Sequence, residues 1–146
     1  MGEANAGRAA RIVWPIVGIR CVIHLDTSFL IRALVHGSVE DGALRKWLRL
    51  GEPLAMSTIA WTEFLCGPVN TTHVELVANV VRARLPFSEE DAHTAAQLFN
   101  ESGRRRGSLL DCMIAATAVR ADAPIATSNP ADFRRLEDFG LNLANV

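Results

Sequence analysis

The chain has 146 residues and a formal net charge of −1, with 49% hydrophobic and 21% charged residues. That length suits one domain with a real core, and that composition suits a soluble globular class. Near-neutral charge excludes a molecule that attracts nucleic acid as a whole, so any RNA or DNA contact must run through a local basic patch. Of the 15 basic residues Lys46 is the only lysine, which removes lysine chemistry from almost the whole chain.

Arg8 and Arg11 precede the apolar run Ile12–Ile19, which is broken by Pro15 and ends in Arg20 without a small-residue cleavage site. A signal peptide is therefore rejected, and the run is too short to span a bilayer. Residues 1–20 are expected to be an N-terminal extension, disordered or simply upstream, ahead of a working domain over residues 21–146. Val22–Leu25 reads as a short buried strand, and Thr27 or Ser28 is placed to cap a helix from Phe29 to Val35 that Gly37 ends. Val39–Leu50 reads as an amphipathic helix with Leu44, Trp47 and Leu48 on its apolar face and Gly51 just past its end. Leu54–Met56 is a second strand. Ser57 or Thr58 caps a helix through Cys66, which Gly67-Pro68 closes.

A helix is predicted over Thr72–Leu85, with Val74, Val77, Val80 and Val81 inward, before a brief extended piece at Pro86-Phe87. Ser88 with Asp91 three residues on makes an approximate capping box for the next helix, so Glu89, Glu90 and Asp91 read as structural first-turn charges. That helix fades at Ser102-Gly103 into the basic loop Arg104-Arg105-Arg106-Gly107. Ser108 then caps an apolar helix to Ala121, and Ile125–Thr127 is the next strand. Asn129-Pro130 opens a short helix through Asp138, and Leu141–Leu143 is a last short strand. This alternation predicts an α/β fold with a mostly parallel sheet sandwiched by helices. Ligands of such sheets sit beyond the carboxyl ends of the strands, where both Asp26 and the group Thr127-Ser128-Asn129 fall.

Four acidic residues carry the chemistry: Asp26 after the first strand, Glu63 inside an apolar helix, Asp111 in a helix first turn, and Asp132 beyond the last long strand. Each has a bland reading alone: Asp26 as a cap, Glu63 as a solvated face, Asp111 and Asp132 as charges favoured by a helix dipole. Gathered at one edge they would repel each other unless a cation lay between them. Oxygen ligands without Cys or His select hard cations, Mg²⁺ or Mn²⁺, which activate water for attack on a phosphodiester. Cys21, Cys66 and Cys112 show no zinc spacing and read as reduced core cysteines of a cytoplasmic protein, and the four histidines are scattered. Trp47 and Trp61 read as core rather than as base-stacking platforms. Arg104, Arg105 and Arg106 read equally as phosphate grips or as a solvated loop, and Arg32 is a weaker candidate of the same kind.

These residues resemble the PIN-domain nucleases, most closely the VapC-type toxins of bacterial toxin–antitoxin pairs. The resemblance covers about Val22 to Leu143. It rests on Leu25-Asp26-Thr27-Ser28, on Ser57 to Gly67 with Glu63, on Asp111 leading into Ile114-Ala115-Ala116-Thr117-Ala118, and on Thr127-Ser128-Asn129-Pro130-Ala131-Asp132-Phe133. It implies a three-layer α/β/α sandwich and a metal-dependent endoribonuclease. By motif match Asp26 and Asp111 are the principal metal ligands, Glu63 is the third acid, and Thr127 lines the site, with Thr27 beside it. A fourth acidic position of many relatives falls on Asn129, which has no charge to offer; Asp132 is expected to take its place. The resemblance further implies a homodimer, a cognate antitoxin and an RNA substrate, with no membrane role.

Two other classes of enzyme fail on residues. A haloacid dehalogenase-type phosphatase needs an aspartate where Ser28 stands and a late lysine; a phosphoreceiver domain also needs a late lysine, whereas Lys46 lies in the second helix. The rival that survives is a catalytically degenerate PIN-like domain that binds RNA or an antitoxin without cleavage, a reading that Asn129 keeps open.

Overall fold

A computed structural model describes residues 22–146; the expected extension over 1–20, and Cys21, lie outside the described residues. The chain runs β1 (Ile23–Leu25), α1 (Thr27–Ala33), α2 (Val39–Leu50), β2 (Leu54–Ser57), α3 (Thr58–Cys66), α4 (Thr71–Val80), β3 (Ala83–Leu85), α5 (Glu89–Glu101), α6 (Leu109–Arg120), β4 (Ile125–Ala126), α7 (Pro130–Arg134) and a 3-10 turn at Glu137–Phe139. No helix among the described residues is long and apolar enough to cross a membrane.

The four strands form one parallel sheet in the order β3-β2-β1-β4. β1 and β2 are buried throughout, as central strands covered on both faces must be. Successive crossovers from β1 to β2 to β3 move one way along the sheet, and the return to β4 moves the other way. With right-handed crossovers this places α1–α4 on one face and α5–α6 on the other, giving the three-layer sandwich. The strand order reverses between β1 and β4, so the crevice of the sheet opens beyond their carboxyl ends, at Asp26 and Thr127. Phe29, Phe64, Met56, Ile114, Ile125 and Leu136 fill the core on either side of the sheet.

One buried polar network braces the opposite end of α6. Asp91 closes the capping box of α5 with Ser88, and its fully buried carboxylate takes two hydrogen bonds from the Arg120 guanidinium, at 2.8 Å and 3.0 Å. Arg120 also donates to the Pro86 carbonyl at 3.0 Å. Asp91 of the acidic run is thus structural, as its position implies. His24, in the middle of β1, is buried nearby; burial and then the Arg120 charge push its pKa down to about 4, which keeps it neutral.

Four local expectations change. The helix predicted to reach Leu85 leaves helical geometry at Val81, and Ala83–Leu85 becomes β3. Pro86 disfavours helical backbone at Leu85, and the β-branched pair Val80-Val81 tolerates either state. The expected last strand reduces to a single parallel bridge between Leu143 and Ile125. Leu48 faces outward at 44% exposure, and Trp47 with Leu44 anchors that part of α2, Trp47 being stacked on Phe29 with ring centroids 5.4 Å apart. Cys66 is exposed rather than in the core, whereas Cys112 is buried.

Candidate active site

Asp26 is the first residue beyond β1, and its N–H donates to the Ala126 carbonyl at 2.9 Å, which ties it to the end of β4. It occupies the N-cap position of α1, yet its side chain makes no capping hydrogen bond. Instead Oδ2 accepts the Ser28 hydroxyl at 2.6 Å and the Thr127 hydroxyl at 2.9 Å. Ser28, expected as a possible cap, therefore serves as a clamp on Asp26. Its Oγ also lies 3.1 Å from Thr127 Oγ1 and accepts the Ser128 N–H at 3.1 Å. Thr127 Oγ1 accepts the Asn129 N–H at 3.0 Å. Burial pushes the Asp26 carboxyl above the ordinary aspartate range, while the Ser28 and Thr127 hydroxyls pull it back.

Thr27 works on the neighbouring helix. Its Oγ1 donates to the Ala60 carbonyl at 3.1 Å and lies 3.4 Å from Glu63 Oε1, so the start of α1 orients the carboxylate of α3. Glu63 is half-buried, and burial, followed by the charge of Asp26, raises its pKa. Asp111, in the first turn of α6, is raised to about 6 by burial and then by Asp26, Asp132 and Glu63 in turn. Asp132, in the first turn of α7, meets Arg105 of the basic loop at 3.5 Å. The helix dipoles at Asp111 and Asp132 favour negative charge, but for Asp111 desolvation and three neighbouring carboxylates outweigh that.

The charges of Asp26, Asp132 and Glu63 thus all act on Asp111. Among the described residues no three His, Cys, Asp or Glu side chains form a group that could hold a metal ion. Asn129 contributes its backbone N–H to Thr127, while its side chain belongs to an exposed residue. The basic loop is held apart from a uniform patch. Arg104 contacts Asn100 and lies over the Phe99 ring at 5.4 Å, and Arg105 is paired with Asp132. Trp61 is half-buried, stacked on Phe64 and covered by Arg84 at 4.8 Å, so it offers no open face for a base.

Three participants escaped the sequence. Ser28 carried a signal, being a hydroxyl two residues from Asp26. Glu40, at the start of α2, accepts the Ser128 hydroxyl at 2.7 Å and stands 3.9 Å from Arg32; the separation of 88 positions between Glu40 and Ser128 hides this contact. Arg32 thus serves Glu40. The third is Arg135, whose charge acts on Asp111.

The profile of the PIN domain family matches residues 23–138, nearly the whole described chain. This chain belongs to the PIN-domain family. Ribonuclease VapC1 of Rickettsia felis is 31% identical to it, covering 84% of this chain and 94% of its own. The solved structure of VapBC2 from Rickettsia felis, bound to a DNA fragment from its promoter, superposes with a TM-score of 0.70 at 20% identity, covering 86% of this PIN chain and 98% of that one. That of VapBC-5, a toxin–antitoxin system member from Mycobacterium tuberculosis, gives a TM-score of 0.62 at 26% identity over 86% of this chain and 99% of the other. The family membership and the VapC-type likeness agree with the α/β/α sandwich of the fold.

Proposed function

We propose that this PIN domain is a divalent-metal-dependent endoribonuclease and serves as the toxin of a toxin–antitoxin pair. The observation that carries the reading is the convergence on Asp111: carboxylates from the end of β1, from α3 and from α7 all raise its pKa at the one edge where the sheet reverses. Like charges held together are costly to fold, and such cost concentrates at working sites. The likeness to Ribonuclease VapC1 supports the choice of RNA as substrate.

The donor set fits a hard cation in kind, because it is made only of oxygens and carries a surplus of negative charge. Asp26, Asp111 and Glu63 would hold Mg²⁺ or Mn²⁺, with Asp132 in place of the acid missing at Asn129. Bound there, the ion would lower the pKa of a water and neutralise charge developing on the phosphate. The chain's own part is orientation. Ser28 and Thr127 fix the Asp26 carboxylate, and Thr27 steers Glu63. In the cation-free protein Asp111 retains its proton up to about pH 6, so loading the edge at neutral pH starts from an ionised Asp111. Arg105 and Arg106 lie on the loop leading into α6, where they can meet phosphates of a bound strand.

An antitoxin partner is supported by the VapBC complexes that share the fold. Exposed Leu65 and Leu76, at 48% and 52%, offer apolar surface on α3 and α4 for such a partner or for a second copy in a homodimer. The test is cleavage of a structured RNA by purified protein with Mg²⁺ or Mn²⁺ and with chelator. Metal-dependent cleavage that D26N and D111N lose by orders of magnitude, while staying folded, is the expected result. Folded wild-type protein that binds RNA and never cuts it would select the degenerate reading that Asn129 keeps open.

A further inference from the structure

Arg135 is a cation whose side-chain nitrogens are all hidden from solvent. It stands at the C-terminal end of α7, between Phe133 and Leu136, which are both fully inserted in the core. The Leu136 N–H to Phe133 carbonyl bond, 2.9 Å, fixes this turn. Nε, Nη1 and Nη2 of Arg135 are all buried, and none has a hydrogen-bond partner among the described residues. A guanidinium stays protonated in proteins and carries five donors, so burying it unpaired is expensive unless an anion stands close by.

The neighbours on which its charge acts are Asp111 and Cys112, at the start of α6, against which α7 packs. Burial pushes the Cys112 thiol up, so it supplies no negative charge. That leaves the carboxylate of Asp111, backed by the rest of the acidic edge. Arg105 differs: its pair with Asp132 is 61% exposed on the arginine side and is screened by solvent. The burial of all three Arg135 nitrogens also argues against a direct grip on an RNA phosphate.

We propose that Arg135 is a positioning residue that acts as a built-in counter-charge: its buried, unpaired guanidinium offsets the negative charge of Asp111 when no cation is bound and restrains how tightly the site then holds a divalent ion. This rests on the metal-site reading above. It makes the empty edge foldable and leaves the divalent ion exchangeable, since a fixed positive charge opposes a second one nearby.

The experiment compares full-length wild type, R135M and R135K by thermal melting without metal and by calorimetric titration with Mn²⁺. R135M is expected to melt lower without metal and to bind Mn²⁺ roughly tenfold more tightly, as removal of a nearby positive charge in a partly buried site predicts. R135K, which keeps the charge, is expected to follow wild type in both. Equal Mn²⁺ affinity in wild type and R135M, or an R135K that behaves as R135M does, overturns the assignment and leaves the metal site standing. Wild type that binds no Mn²⁺ overturns the metal site and this assignment with it. If R135M is too unstable to purify, D111N/R135M decides: recovered folding supports a charge role, and equal instability refutes it.

Discussion

Thr127 Oγ1 donates to Asp26 Oδ2 at 2.9 Å across 101 residues of sequence. That bond spans the reversal point of the sheet, joining the residue that follows β1 to the residue that follows β4. Because the same oxygen receives Ser28, the Asp26 carboxylate is aimed before any ligand arrives. Preorganisation of this kind is what a site needs to stabilise charge without reorganising.

Replacing Thr127 with valine keeps the shape and deletes the hydroxyl. We expect T127V to lower stability by about 1 kcal/mol, as loss of one buried hydrogen bond does. RNA cleavage should fall roughly tenfold through weaker holding of the metal ligand. S28A should behave alike, and chemical denaturation with initial-rate assays on both variants checks this. A T127V protein as active as wild type would mean that Asp26 needs no clamp.

The raised pKa of Asp111 fixes the sign of a pH effect. In the metal-free fold Asp111 titrates near 6, above its unfolded value of 3.8, so the folded state binds more protons between those values. Stability from this group is therefore present at low pH and lost as pH rises through about 6. Lowered His24 acts oppositely, its neutral buried form making the fold lose stability as pH falls from 6.5 toward about 4. The wild-type profile mixes the two, so the useful quantity is the stability of D111N minus that of wild type. It should grow from pH 4 to pH 6 by about 1 to 2 kcal/mol and then level off. Urea titrations in chelator at several pH values measure it, and a difference independent of pH contradicts the shared acidic edge.

Asp132 and Asn129 can be separated. Asp132 raises Asp111 and so lies within reach of the acidic set, whereas Asn129 contributes through its backbone. D132N is expected to reduce metal-dependent cleavage by roughly tenfold or more, and N129A by no more than about threefold. The opposite order, read from initial rates at saturating Mn²⁺, would return the fourth role to Asn129.

The Asp91–Arg120 pair is a stability device remote from the acids. R120M leaves a fully buried carboxylate without its main partner, and breaking such a pair costs about 3 to 5 kcal/mol. The melting temperature should fall sharply, while cleavage per folded molecule at low temperature stays close to wild type. A specific activity that collapses with intact folding would place Arg120 in the site.

What the sequence made legible follows from where the physics is local. Asp26, Glu63, Asp111 and Asp132 stand out because each interrupts or borders an apolar element, and strand–helix alternation alone puts two of these segments on the same edge. The capping box at Ser88 and Asp91 and the stop at Gly67-Pro68 are likewise local. β3 was hidden because three edge-strand residues after a helix carry no period of their own, and tertiary pairing with β2 decides them. Glu40 and Arg135 were hidden because their roles are made by contacts between elements distant in the chain, and nothing in the residues around Arg135 distinguishes it from Arg134, which is exposed.

In the proposed site, acids from four separate segments share one divalent ion. Calorimetric titration of Mn²⁺ into metal-free wild type, D26N, D111N and a remote control such as E101Q tests it most directly. Saturable binding to wild type and E101Q is expected, weakened at least roughly tenfold by D26N and by D111N, each of which removes a charged ligand. Binding of equal strength in all four proteins, or saturable binding in none, would contradict it.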